Sequence, residues 1–312
     1  MTRKIVVKKI FCYSWDVRII DNVEEERELI ESSISKFGYS PDHNFDWLKS
    51  CSNDGSPSFV VWKDGEGVWF YVNKKTNQHV IVADPIAPTN VQDKILKELC
   101  DYVLGQSMTI YFLDVRESVQ DFAIKNYRDK FKPDYEIVWP VVDMATWNPE
   151  LPGSHFKELR NALSKFNREH AVKISETTEL SKKDLHDIVD RWFASRARVG
   201  IAVLPERYHD MIDNNFGGTK SSRVMIVDNK PVGFNAGWET SNNPSEWSAS
   251  IGIHDYSIKD LGVALLYEDL VWIKNAGYKS CDLEGSDSQA LRFKTQFFNK
   301  FETYKTYTFY IK

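Results

Sequence analysis

The second half of the chain carries the clearer hydrophobic rhythm. Phe156, Leu159, Leu163 and Phe166 recur at the three- and four-residue spacing of one helical face, with Lys157, Asn161, Ser164 and Arg168 opposite. Pro152-Gly153-Ser154 offers a cap for that helix. A short strand is predicted over about 171–175. Ser181 and Asp184 then have the spacing of a capping box ahead of Leu185, Ile188, Val189, Trp192 and Phe193. Pro205 suits a first helical turn, followed by an apolar face of Tyr208, Met211, Ile212 and Phe216. Strands are predicted over Arg223–Val227 and Pro231–Trp238, joined at Asp228-Asn229, and over Glu246–Ile253. A helix over about 261–276 stops at Gly277. A strand over 279–283, a helix over 288–298 and an alternating strand Thr303–Ile311 close the chain.

The first half has a similar tail. Strands at Ser58–Trp62, Val68–Val72 and His79–Ala83 precede a helix over about 91–104, a strand near 108–113, a helix near 118–130 and a closing strand Tyr135–Val142. Residues 111–131 lie over 281–301 without a gap, with Leu113/Leu283, Ser118/Ser288, Lys130/Lys300 and Phe131/Phe301 identical. Few positions match, but the repeated element order predicts a duplicated α/β architecture with mixed sheets. The expected domains are 1–148 and 149–312, closely packed, since no low-complexity linker separates them.

Composition narrows the class. The 312 residues are 42% hydrophobic and 13% aromatic, ample for two cores. The net charge of −5 makes the whole molecule a poor polyanion binder, and DNA is not an expected partner. Contact with tRNA or acidic lipid must use a local basic patch such as Lys157, Arg160, Lys165 and Arg168, aided by Arg191, Arg196 and Arg198, which otherwise is a solvated helix face. Cys12, Cys51, Cys100 and Cys281 are scattered, without metal-ligand or redox spacing, and read as reduced thiols. The start MTRKIVVKKIF is not a signal peptide, and no apolar run is long enough for a bilayer. The expectation is a cytoplasmic protein that can touch a membrane but not cross it.

Candidate chemistry gathers late in the chain. Lys259-Asp260-Leu261-Gly262-Val263-Ala264 opens a helix after a strand and approximates the Q/R-x-x-G-x-G/A pyrophosphate loop of CoA-using GNAT enzymes, with Lys259, Gly262 and Ala264 as cofactor-binding candidates. The alternative is an ordinary capping glycine. Glu284, at a strand end, is a candidate proton acceptor, and Ser286 beside it a candidate substrate contact. Both could equally cap the next helix. Lys294 and Arg292 could steady negative charge or be solvated cations. His254 is a possible general base with no partnered Ser or Cys motif, or a plain loop histidine. Asn235 and Trp238, flanked by Gly233 and Gly237 on one strand, are candidates for an acceptor pocket.

The segments GSHFKELRNALSKFNREH, KPVGFNAGW and GYKSCDLEGSDSQALRFKTQFFNKFETYKTYTF resemble the C-terminal catalytic domain of phosphatidylglycerol lysyltransferases, and more distantly Fem-type aminoacyltransferases. The resemblance implies tandem GNAT folds and an aminoacyl-tRNA donor. The implied acceptor is a lipid hydroxyl or a small amine, and no metal or redox cofactor is required. Lys294, between Phe293 and Phe297, matches the family's Phe-Lys-x-x-Phe run. Glu284, Gly285 and Ser286 occupy the turn before it, and Asn235 lies in the matching Gly-Phe-Asn-Ala strand. SASIGIHD lacks the acidic–arginine pair of that family's central strand, and His254 stands there instead. The reading is therefore an aminoacyltransferase. An acyl-CoA-dependent N-acyltransferase using acetyl-CoA or a longer acyl-CoA, and a non-catalytic GNAT-fold binding module, are kept as alternatives.

Overall fold

The computed structural model describes residues 17–198 and 204–312. Cys12, one of the four thiols, lies outside them.

The first half runs β1 (Arg18–Ile20), α1 (Arg27–Phe37), α2 (Phe45–Cys51), β2 (Gly55–Val61), β3 (Gly67–Asn73), β4 (His79–Val82), α3 (Thr89–Gly105), β5 (Ile110–Arg116), α4 (Glu117–Tyr127) and β6 (Phe131–Asp143). The second runs α5 (Lys157–Glu169), β7 (Val172–Glu176), α6 (Lys182–Arg198), α7 (Pro205–Asp213), β8 (Ser221–Val227), β9 (Lys230–Thr240), β10 (Asn243–His254), α8 (Leu261–Asn275), β11 (Ser280–Asp282), α9 (Ser288–Thr295) and β12 (Glu302–Ile311). The sequence pattern missed β1, α1 and α2. The first two are short or polar, and α2 is only seven residues long.

Local chemistry explains many boundaries. Ser181 Oγ accepts from the Asp184 N–H at 3.1 Å, so the capping box is real. Asp228 and Asn229 both take positive φ, the twist that a two-residue hairpin needs. Ser154, by contrast, does not cap α5 with its side chain. Phe156 occupies the N-cap position, and Arg160 instead donates to the Leu151 and Gly153 carbonyls. Helix α9 ends at Thr295 rather than 298. Phe297 is buried beyond its end, and its carbonyl accepts from Trp147 Nε1 at 3.0 Å.

Among the described residues all twelve strands join in one sheet, in the order β1-β2-β3-β4-β5-β12-β6-β11-β10-β9-β8-β7. Pairing is antiparallel except for β4–β5 and β10–β11, where the helices α3 and α8 make parallel crossovers. At the centre the two closing strands have changed places. β12, from the end of the chain, pairs with β5 of the first half, while β6 pairs with β11 of the second, and the two pair with each other over ten registered positions. Trp139 Nε1 donates to Thr306 Oγ1 at 2.7 Å across that seam, and its ring stacks on Tyr304.

Helices cover both faces. In the first half α3 and α4 pack on Phe70, Ile81 and Phe112, and α1 and α2 on Phe59, Trp69 and Val80. In the second, α5 and α8 cover Met225, Val232 and Trp247. Helices α6 and α7 cover Phe234, Ala236 and Ile251, and this last core also contains Trp47 of α2. The halves thus share apolar core as well as sheet. Calorimetry and far-UV circular dichroism should therefore show a single, coincident unfolding transition. Two separable transitions, one for each half, would contradict this.

Candidate active site

Strands β10 and β11 are paired only from Glu246/Ser280 to Ser248/Asp282. Beyond that register β11 stops while β10 runs on to His254, so the sheet opens. The gap is a cavity of about 740 Å³ lined by β10, the start of α8, the turn after β11, α9, and Trp192, Arg196 and Tyr208 of α6 and α7. A second groove, near 1050 Å³, runs along Val141, Trp147, Phe156, Lys279 and Phe301; of the residues singled out from the family run it holds only Phe297, and it contains no predicted catalytic, substrate-binding or cofactor-binding residue.

Glu284 stands at the mouth of the split. Its φ of 66° is left-handed, and its N–H donates to Asp282 Oδ1 at 2.8 Å. Asp282 is itself held by Tyr304 Oη at 2.7 Å. The next residue must be glycine for space, since a Cβ at Gly285 would lie 2.6 Å from Ile137 Cγ2 on β6. The closing strand of the first half therefore sets where Glu284 points. Its carboxyl accepts no protein hydrogen bond among the described residues. Burial raises it to about 7, against the lowering fields of Lys294 and Arg207. Lys294 Nζ donates to the Glu284 carbonyl at 3.2 Å and to the Gly285 carbonyl at 3.5 Å. An ammonium has three donors, so one remains for a ligand. Desolvation lowers the Lys294 pKa, partly opposed by Glu284 and Asp282.

His254 lines the same cavity, its ring stacked on Tyr256 at 4.3 Å, with the Arg196 guanidinium over the other aromatic. Burial, and secondarily Arg196, drop its pKa to about 4, so the imidazole is neutral near pH 7. Gly262 is packed against it, for a Cβ there would come within 2.7 Å of His254 Nε2. Asn235 is buried in the cavity wall, donating from Nδ2 to the Leu265 carbonyl at 3.0 Å.

The other candidates lie elsewhere. Trp238 does not line the cavity. It is buried between the halves, its Nε1 donating to the Pro41 carbonyl at 2.7 Å and its ring against Trp47. Ser286 is buried, with Oγ on the Glu284 carbonyl at 3.0 Å, and braces the turn rather than facing a ligand. Arg292 and Lys259 are exposed and off the lining, and Ala264 is buried in the α8 core. Of the proposed pyrophosphate loop, only Gly262 faces the cavity. Lys157 is exposed on α5, and Arg160 is spent on the carbonyls before that helix.

A model of the family described as "Phosphatidylglycerol lysyltransferase, C-terminal" matches residues 51–296. The chain belongs to this family. Its members are transferases, and the cavity described above lies within the matched region. The structure of L-PGS from Bacillus licheniformis is similar with a TM-score of 0.65 at 15% identity, covering 91% of this chain and 91% of its own. The crystal structure of FemX gives 0.59 at 9% identity, covering 95% and 97%. A tandem GNAT protein from the clavulanic acid biosynthesis pathway gives 0.58 at 11% identity, covering 95% and 98%. No curated protein sequence matches. These structural likenesses show for this chain the tandem GNAT-like α/β fold that the family resemblance implies. No helix among the described residues is long and apolar enough to cross a membrane.

The Glu284 turn has a counterpart in the first half that residue-type reasoning passed over. Asp114 overlies Glu284 in the gapless alignment and shares its left-handed backbone, with φ of 56°. Burial, and then Asp42, raise its carboxyl to about 7. The position was legible in the alignment, but only its matching geometry singles it out.

Two measurements follow. A carboxyl whose pKa is raised on folding contributes stability at low pH that is lost as pH rises through the folded value. With Asp84 and Asp282 at about 6 and Asp114 and Glu284 at about 7, stability should fall from about pH 4, the unfolded value, to about pH 7 and level off above it. Asp114→Asn should raise Tm more at pH 8 than at pH 5, and an equal effect at both would refute the buried-carboxylate cost. Gly262→Ala should destabilise by about 1–3 kcal/mol through overpacking. Adding His254→Ala should recover most of that in a double-mutant cycle on denaturant melts.

Proposed function

We propose that this protein moves an aminoacyl group from aminoacyl-tRNA to an acceptor hydroxyl or amine, with the reacting groups held where β10 and β11 part. The observation that carries this reading is Glu284, a carboxyl near neutrality facing the cavity, beside a lysine with a spare donor. Membership of a lysyltransferase family supports the donor class.

The chemistry is acyl transfer. The Glu284 carboxylate takes the proton from the acceptor O–H or N–H as that atom forms its bond to the ester carbonyl carbon. The carbonyl π pair moves onto oxygen, and Lys294 stabilises the oxyanion with its free N–H. Collapse breaks the bond to the tRNA ribose oxygen, which recovers the proton from Glu284. Asn235 and Phe293 shape the cavity wall, and neutral His254 is an alternative proton carrier. Surface charge near α5 and α6 is the contact for tRNA phosphates in this reading.

A second reading, acyl-CoA-dependent transfer, is favoured by Gly262, which brings the first turn of α8 to the same cavity. The stack of His254 against Gly262 disfavours it, because the imidazole occupies the space beside that helix start.

The deciding experiment pairs transfer assays from charged tRNA with thermal shifts in acetyl-CoA and longer acyl-CoAs. Transfer from tRNA is expected. A saturable shift near 2.7 kcal/mol at about 100 times Kd for an acyl-CoA, without tRNA transfer, would replace it with the second reading. Lys294→Ala should lower kcat by about 100-fold, the scale of a lost oxyanion donor, with Tm little changed. Wild-type activity should rise with pH through about 7 as Glu284 ionises, and Glu284→Gln should remove that limb along with most of the rate.

A further inference from the structure

Among the described residues the Glu284 carboxyl accepts no hydrogen bond, so the turn that carries it is what aims it. That turn is left-handed at Glu284, a conformation that a residue with a side chain keeps only under constraint. The constraint is Asp282, a carboxyl 1% exposed whose two oxygens are divided. Oδ1 accepts the Glu284 N–H at 2.8 Å, and Oδ2 accepts Tyr304 Oη at 2.7 Å. Tyr304 belongs to β12, which runs between β5 and β6 in the first half's part of the sheet. Each of those strands supplies a contact to its ring. The Arg116 guanidinium of β5 lies 3.7 Å from the ring centroid, and Trp139 of β6 stacks on it at 5.7 Å with the planes 10° apart. Arg116 is anchored in turn. Its N–H donates to Asp84 Oδ1 at 2.7 Å, and its Nε stands 4.0 Å from Oδ2 of that buried carboxyl. Contacts therefore run without a break from Asp84 and Arg116 of the first half, through Tyr304 and Asp282, to the backbone of Glu284.

Resting on the reading that Glu284 takes the proton in acyl transfer, we propose that Tyr304 is a positioning residue for Glu284 and that Arg116 sets it from the first half. The phenol hydroxyl fixes Asp282, Asp282 fixes the Glu284 N–H, and the carboxylate is kept in line with the acceptor proton. Arg116 and Trp139 hold the ring so that its hydroxyl has one place to donate. Placement matters at this scale, since a misplacement of about 1 Å can cost about 100-fold in rate. The first half thereby acts on the reacting carboxylate of the second through one side chain of the exchanged strand.

Tyr304→Phe keeps the ring and both of its neighbours and deletes only the hydroxyl. In aminoacyl transfer by the full chain it should lower kcat about ten-fold, with KM and Tm little changed. Arg116→Met should lower kcat several-fold, and Arg116→Lys, which keeps a cation on the ring, should restore most of the loss. Arg116→Met combined with Tyr304→Phe should be no slower than Tyr304→Phe alone, because both act through one hydroxyl. A readout that needs no substrate is the ionisation of Glu284, followed by carbon-13 NMR of the glutamate carboxyls, its resonance being the one missing in Glu284→Gln. In Tyr304→Phe its midpoint should fall from about 7 toward that of ordinary glutamate, by about half a pH unit or more, as water reaches a loosened turn. Lys294, Asp287, Asp269, His254 and Arg196 also line the cavity and stay in place in these variants. A Tyr304 that serves stability alone would lower Tm and leave the midpoint where it is. That result, kcat losses that multiply in the double variant, or a change confined to KM would overturn the proposal. If Tyr304→Phe does not fold, the midpoint in Arg116→Met decides on the same terms. A lowered midpoint with no transfer from charged tRNA would sink the aminoacyl reading and leave the positioning role standing. Transfer from charged tRNA with the midpoint unmoved would do the reverse.

Discussion

The pairing of β6 with β12 is the constraint on which the rest of this molecule depends. Each is the last strand of its own half, yet each hydrogen-bonds to the other half's sheet. Backbone donors and acceptors on β5 and β11, which would be costly and aggregation-prone if left open, are thus covered by the other half's closing strand. Exchange closes both edges at once and turns two small sheets into one. It also brings Ile137 and Trp139 of β6 under Gly285, so the turn carrying Glu284 is built partly from the first half. A single half would have neither a complete sheet nor a positioned carboxylate.

The same seam explains the electrostatics. Asp114 and Glu284 each adopt left-handed backbone beside a closing strand borrowed from the opposite half. Around Asp114 the pairing slips between Tyr307 and Phe309 of β12, and around Glu284 regular pairing of β11 has already ended. Burial pushes both carboxyls upward, because the interior supplies cations at a distance rather than in contact. That is an unfavourable arrangement for stability alone. It makes sense where a ligand or a reacting proton completes the charge balance.

The family relation and the geometry bear on different questions. Membership of the lysyltransferase family supports a transferase, and the solved structures it resembles share its GNAT-like fold. The residues of this chain show which of the candidate groups face the cavity. Only Gly262 of the phosphate-loop candidates reaches the cavity, and it is closed against His254.

The sequence by itself determined the elements of the second half, the repeated order of the first, and the local chemistry of caps and turns. These depend on side chains a few residues apart, as at Ser181-Asp184 or Asp228-Asn229. It also marked Glu284, Lys294, His254, Asn235 and Gly262, which stand at strand ends or helix starts where ligands commonly meet an α/β sheet. Only the tertiary structure separated these from Trp238, Ser286, Arg292, Lys259 and Ala264, because whether a side chain faces a cavity, a core or solvent depends on what packs across from it. Strand exchange was invisible for the same reason. The alternation in β6 and β12 specifies strands with one buried face but carries no record of which neighbour each strand chooses. Arg207 is the sharpest case, an ordinary helical arginine in sequence, whose guanidinium the packing of α7 lays over Trp47 of the other half.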